Sequence, residues 1–132
     1  MKKTIKVVGA IIENHSNEIL CALRSPVMSL PNLWEFPGGK IESEENIKQA
    51  IEREIQEELD CKVIFKEVFC NHIHEYDSFI VDLMTVKCEL IQNEPFAKEH
   101  SKLIWLKREN LCSLQWAPAD IPTVERLITE QV

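Results

Sequence analysis

The chain has 132 residues, of which 45% are hydrophobic and 28% charged, with a formal net charge of −7. This is the length and composition of one globular domain, residues 1–132, and it excludes a disordered chain. The acidic balance lacks the footprint of a nucleic-acid or anionic-membrane binder, so neither partner is expected, and any phosphate ligand needs a cation to offset the chain's own carboxylates.

The N-terminus, Met1-Lys2-Lys3-Thr4-Ile5, carries two lysines, but the apolar run after them is short and reads as a strand, and no cleavage pattern follows, so no leader is expected. No stretch approaches the roughly 20 apolar residues of a membrane span. The five cysteines (Cys21, Cys61, Cys70, Cys88, Cys112) are odd in number, widely spaced and free of any CxxC. They read as small apolar residues of a reduced, cytoplasmic protein.

Lys6–Ile12 is β-branched and apolar with few breaks, which predicts a buried strand. A polar turn at 13–17 leads into a second strand, Glu18–Leu23, and the two together predict a hairpin. Residues 25–33 hold Pro26 and Pro31 and read as a loop. Gly38-Gly39 reads as a short turn. Glu44–Leu59 is the strongest helix, with Ile47, Ala50, Ile51, Ile55 and Leu59 at spacings of three and four. Ser43 is its predicted cap, with Glu44 and Glu45 in the first turn. Two β-rich segments follow, Lys62–Tyr76 and Phe79–Ile91. In the second, Met84, Val86, Cys88 and Leu90 alternate with polar residues, as in a half-buried strand. Lys102–Leu106 reads as another strand, and Pro118 and Pro122 bracket a final short helix ending near Thr129. The expected class is α/β (α+β), a mixed sheet covered by helices.

Chemistry concentrates on the long helix. At about 100° per residue, Glu54, Glu57 and Glu58 share one arc that borders the apolar face. Carboxylates packed this way repel one another, the more so when partly buried, and a cation relieves the repulsion. Oxygen donors without His or Cys select a hard cation, Mg²⁺ or, as a substitute, Mn²⁺. Arg53, four residues before Glu57, can hold that carboxylate in one orientation. The alternative is a solvated, salt-bridged helix face.

The residues leading into the helix are more specific. Gly39, five residues, Glu45, seven residues, then Arg53-Glu54-Ile55-Gln56-Glu57-Glu58 resembles the Nudix box of the Nudix hydrolases. Glu35-Phe36-Pro37-Gly38-Gly39-Lys40 before it, Val7–Ile12 at the start and Ala117-Pro118-Ala119-Asp120 near the end resemble the MutT-type branch. The pattern is most similar to the bacterial CTP pyrophosphohydrolase and 8-oxo-dGTP diphosphatase subgroup. One departure stands out. Asp60 occupies the place of the glycine that normally follows the box. Asp tolerates the left-handed conformation of a helix C-cap at modest cost, so the helix end is affected and the metal site is not.

The resemblance implies a Nudix fold, with a mixed sheet sandwiched between helices. It implies Mg²⁺-dependent hydrolysis of a nucleoside triphosphate to the monophosphate and diphosphate, by a monomer or homodimer. By position, Glu54, Glu57 and Glu58 would hold the metal, with the Gly39 carbonyl and Glu99 as further ligands. Glu45, Arg53 and Gly38 would support the box. Glu99 would be the base that activates water, with Glu58 as the second choice. Arg24 would bind phosphate, Phe36 would flank the nucleobase and Asp120 would read its edge. An ionised Asp120 only accepts hydrogen bonds, so it would ask for a donor such as the cytosine amine.

Each assignment has a plainer alternative: a loop acid for Glu99, a strand-end surface residue for Arg24, a core residue for Phe36 and a helix N-cap for Asp120. Trp34 and Tyr76 read as core, and His72 and His74 as structural. Two other functions fit the same pattern less well: hydrolysis of ADP-ribose or a nucleotide sugar, and a non-catalytic nucleotide-binding module.

Overall fold

A computed structural model describes residues 1–130. In chain order the strands and helices are β1 (Lys3–Ile12), β2 (Glu18–Leu23), β3 (Trp34–Glu35), β4 (Gly38–Lys40), α1 (Ile47–Leu59), β5 (Lys62–Glu75), β6 (Phe79–Gln92), β7 (Lys102–Lys107) and α2 (Ile121–Thr129). Short 3-10 turns at Arg108–Ser113 and Pro118–Asp120 lead into α2.

The strands form two sheets. One is mixed, in the order β4-β1-β6-β5, and the other is antiparallel, in the order β3-β2-β7. β1 runs parallel to β6 and antiparallel to β4. Its unbroken apolar run follows from lying between two cores. Val8, Ala10 and Ile12 pack with Ile51, Ile55 and Leu59 of α1, while Ile11 joins Phe36, Trp116, Val124 and Leu127 on the other side. A strand covered on both faces has no polar face to show.

The predicted hairpin is corrected. β1 and β2 are connected by the expected turn, in which Asn14 Oδ1 accepts the Ser16 and Glu18 backbone N–H groups. Yet they diverge into different sheets, joined only by a bridge between Glu13 and Ile19. A turn reverses the chain without choosing the strand's partner. β2 instead pairs along its whole length with β7.

Three local expectations also change. Gly38–Lys40 is a strand against β1 rather than a turn, because the backbones approach so closely that a Cβ on Gly38 would lie 1.9 Å from the Val8 carbonyl oxygen. α1 starts at Ile47, and its cap is Asn46 rather than Ser43. Asn46 Oδ1 accepts the Gln49 backbone N–H at 2.8 Å, and Gln49 Oε1 accepts the Asn46 N–H at 2.9 Å, a complete capping box. Glu44 cannot join the helix, since its φ is 70°. β6 is covered on both faces at its middle, where Leu83 and Thr85 are buried beside Val86. Thr85 hydrogen-bonds to Thr123 of α2 at 2.8 Å. The helix end matches expectation. Asp60 adopts the left-handed conformation (φ 52°, ψ 33°) and its N–H donates to the Gln56 carbonyl.

Candidate active site

The acidic edge of α1 is organised by one guanidinium. Arg53 Nη1 donates to Glu54 Oε2 at 2.9 Å and to Glu57 Oε1 at 3.0 Å. Its Nη2 donates to Glu45 Oε1 at 2.9 Å and to the Lys40 carbonyl at 3.1 Å, and its Nε donates to Glu45 Oε2. The 41–46 loop is thereby tied to the helix. The hydrogen bond from Arg53, with a second from the Glu42 N–H, holds the Glu45 carboxyl down at about 2.

The three helix glutamates are graded in exposure. Glu57 is largely in solvent, Glu58 is half-buried and Glu54 is buried, with only 11% of its side chain exposed. The backbone of Gly39 makes room for Glu54. A Cβ at Gly39 would lie 2.2 Å from Glu54 Oε1. Burial pushes the Glu54 carboxyl above the ordinary carboxylate range, against the opposing pull of Arg53. Burial also pushes Glu58 up, reinforced by the charges of Glu99 and Glu54. Glu99, exposed on the loop between β6 and β7, is therefore brought near Glu58 across more than 40 positions of sequence.

Among the described residues, no three acids, imidazoles or thiols converge into a finished metal cage, and Arg53 bridges Glu54 and Glu57 instead. The residues nevertheless suit a hard divalent cation. All the donors are carboxylate or carbonyl oxygen. Two of the carboxyls have charge that burial disfavours and that a cation would stabilise.

Beside this edge lies a cavity of about 380 Å³. Its wall includes Arg24, Glu35, Phe36, Tyr76 and Asp120, and it reaches Gly38 and Gly39. Phe36 is nearly buried and stacks on Trp116 with ring centroids 4.8 Å apart, so it is a wall backed by the core. Tyr76 lines the cavity too, and its hydroxyl accepts the Ala119 N–H at 3.1 Å. Trp34 packs into the core. Arg24 is not a loose surface residue. Its Nη1 meets Glu35 Oε1 at 2.6 Å, and its Nε donates to the Ser29 carbonyl at 2.6 Å.

Asp120 is buried and makes no cap hydrogen bond to α2. Its Oδ1 accepts the Phe36 N–H at 3.2 Å. Burial, with the charge of Glu35, raises its carboxyl well above the ordinary range. The acceptor-only reading applies to the ionised form, and a protonated carboxyl could also donate. His72 and His74 of β5 and Tyr76 just after it form a run of neighbouring rings, with centroids 5.8 Å and 4.6 Å apart. The histidines join no metal cluster among the described residues. Cys21 and Cys88 are buried, with thiols pushed up to about 12 by burial, so they pack as apolar groups.

Sequence reasoning passed over Glu35 and His100. His100 Nε2 donates to Glu35 Oε2 at 2.8 Å with only 2% of its side chain exposed. The available signal for Glu35 was a charge between two aromatics in an extended segment. The signal for His100 was its place beside Glu99.

The sheets, the glycine-cradled glutamate helix and the adjoining cavity define a Nudix domain, and the family model described as NUDIX domain matches residues 7–126. The chain belongs to that family and is a Nudix hydrolase. It is 37% identical over 123 residues to the CTP pyrophosphohydrolase of Escherichia coli K12, covering 93% of this chain and 90% of the relative. It is 30% identical over 129 residues to the 8-oxo-dGTP diphosphatase of Haemophilus influenzae, covering 98% and 95%. The solution structure of a Nudix-family DNA mismatch repair protein MutT from methicillin-resistant Staphylococcus aureus 252 matches with a TM-score of 0.80 and 51% identity, over 99% of this chain and 100% of that one. Among the described residues, no helix is long and apolar enough to cross a membrane.

Proposed function

We propose that this chain is a Mg²⁺-dependent pyrophosphohydrolase that converts a (d)NTP and water to the (d)NMP and diphosphate, acting on cytidine-type or oxidised nucleotides such as 8-oxo-dGTP. The observation that carries this is the continuity of the site. One cavity runs from buried Asp120 to Gly39, and Gly39 touches the carboxylate of Glu54. A nucleobase at one end thus places its phosphates toward the acidic helix edge. The named relatives act on such substrates.

In this reading Glu54, Glu57 and Glu58, with the Gly39 carbonyl and Glu99, hold the metal. A cation held there would supply neutralisation of the phosphates and of charge on the leaving oxygens. Arg53 orients Glu54 and Glu57, and Glu45 holds Arg53. Glu99, with Glu58 as the second choice, would take the proton of the attacking water; burial and the charge of Glu99 raise the Glu58 carboxyl. Arg24 offers its guanidinium to phosphate oxygens from the cavity wall. Phe36 and Tyr76 flank the base.

Asp120, when protonated, offers a donor and an acceptor side by side. Cytosine, with its N4 amine beside N3, fits that edge. Guanine-type bases fit too, with O6 beside N1–H.

The test is product analysis. Purified protein with Mg²⁺ is offered CTP, dCTP, 8-oxo-dGTP, the common dNTPs and ADP-ribose. Diphosphate release is expected, fastest with a cytidine or oxidised nucleotide. Orthophosphate alone, or cleavage confined to ADP-ribose, overturns the reading.

A further inference from the structure

The loop between β6 and β7 carries Glu99 and has no regular structure of its own, so its place beside the C-terminal end of α1 depends on tethers. Most of its tethers are backbone or surface contacts. The Phe96 N–H donates to the Leu59 carbonyl at 2.8 Å, the Ser101 N–H donates to the Leu23 carbonyl at 2.9 Å, and Lys98 Nζ reaches Asp60 at 3.3 Å. The buried tether is different in kind. His100, the residue after Glu99, sends its ring inward to Glu35, and its Nδ1 has no partner among the described residues. An imidazole buried with one nitrogen unsatisfied is a poor way to fill a core position, because the orphaned group loses its hydration for nothing. An apolar side chain would pack there at less cost. The arrangement makes sense if the bond to Glu35 is what the site needs.

Glu35 is in turn shared. One carboxylate oxygen takes His100 and the other takes Arg24, so the group is held at both ends and has no freedom to turn. Arg24 and Glu35 both line the cavity. The chain Arg24–Glu35–His100 therefore runs from the cavity wall to the base of the Glu99 loop.

We propose that His100 and Glu35 are positioning residues: their buried hydrogen bond fixes the Glu99 loop against α1 and joins it rigidly to the wall of the nucleotide cavity. The proposal rests on the reading of Glu99 as part of the metal and proton-transfer site. Neither residue touches the reacting atoms.

Mn²⁺ binding, measured by calorimetry or electron paramagnetic resonance without nucleotide, tests it apart from activity. Glu99→Gln and His100→Leu are each expected to weaken Mn²⁺ binding by about 10-fold or more, the scale for residues that orient metal ligands. The double variant is expected to bind no more weakly than Glu99→Gln alone, since His100 acts through Glu99. His100→Gln keeps an N–H donor and is expected to stay within about 3-fold of the unmodified chain. If His100→Leu does not fold, Glu35→Leu carries the same cycle, because it leaves His100 Nε2 without the carboxylate it bonds to. Additive losses overturn the proposal, as does a His100→Gln variant as impaired as His100→Leu. A Glu99→Gln variant with full Mn²⁺ affinity also overturns it, leaving nothing for His100 to act through. An unmodified chain that binds Mn²⁺ but releases no diphosphate refutes the proposed function instead.

Discussion

The contact between Gly39 and Glu54 makes a sharp prediction for Gly39→Ala. The added Cβ would sit 2.2 Å from Oε1, 2.3 Å from Cδ and 2.6 Å from Oε2 of Glu54, where ordinary contact begins at 3.4 Å. The methyl is fixed to a strand paired with β1, so the carboxylate must retreat by about 1 Å. A displacement of that size far exceeds the roughly 0.2 Å tolerance of a metal–ligand distance. Misplacement by about 1 Å at a catalytic centre costs on the order of 100-fold in rate. Stability should change little. No glycine has a positive φ. The alanine therefore suits its strand, and a flexible carboxylate end can give way, keeping the change within about 1 kcal/mol. The assay is kcat for diphosphate release at saturating Mg²⁺, beside urea denaturation. Gly9→Ala is the control, because its Cβ would meet Phe36 and Thr85 at an ordinary 3.5 Å, and near-normal turnover is expected. A folded Gly39→Ala variant with turnover within a few-fold of normal would refute the reasoning, because Glu54 would then not need its place.

Three further outcomes follow from the same geometry. Glu58→Gln is expected to lower kcat by at least about 100-fold with the fold intact, the scale of losing a group that moves a proton or binds the metal; near-normal kcat removes Glu58 from the chemistry. Gly38→Ala is expected to destabilise the chain by about 3 kcal/mol, at the upper end for overpacking, because its Cβ would meet backbone atoms of Val8 that cannot yield; urea unfolding measures it, and unchanged stability contradicts the β1–β4 pairing. Asp120→Asn is expected to gain stability relative to the unmodified chain as pH rises. The raised Asp120 carboxyl favours the folded state fully below its unfolded value, and that contribution is lost as pH rises through the folded value. Asparagine has no such loss, so melting temperatures should diverge as pH rises from about 4, just above the unfolded carboxyl value, to 8, and parallel curves over that whole range would contradict a raised Asp120.

Residue order alone determined what is local. The period of α1, the placing of Glu54, Glu57 and Glu58 along one edge of it and the left-handed cap at Asp60 all follow from spacings within one or two turns of helix, which backbone geometry sets. The spacing from Gly39 to Glu58 carried the family resemblance for the same reason, since it joins one loop to the helix that follows. Tertiary structure decided the rest. β1 and β2 look like a hairpin from their turn, but pairing is chosen by partners far along the chain, β6 and β7. Asp120 meets the Phe36 N–H 84 positions away, and His100 meets Glu35 across 65. Burial of a charge or an imidazole is a property of everything packed around it, so whether the Asp120 carboxyl is raised, and whether His100 is a loop residue or a buried tether, is settled only by the tertiary fold.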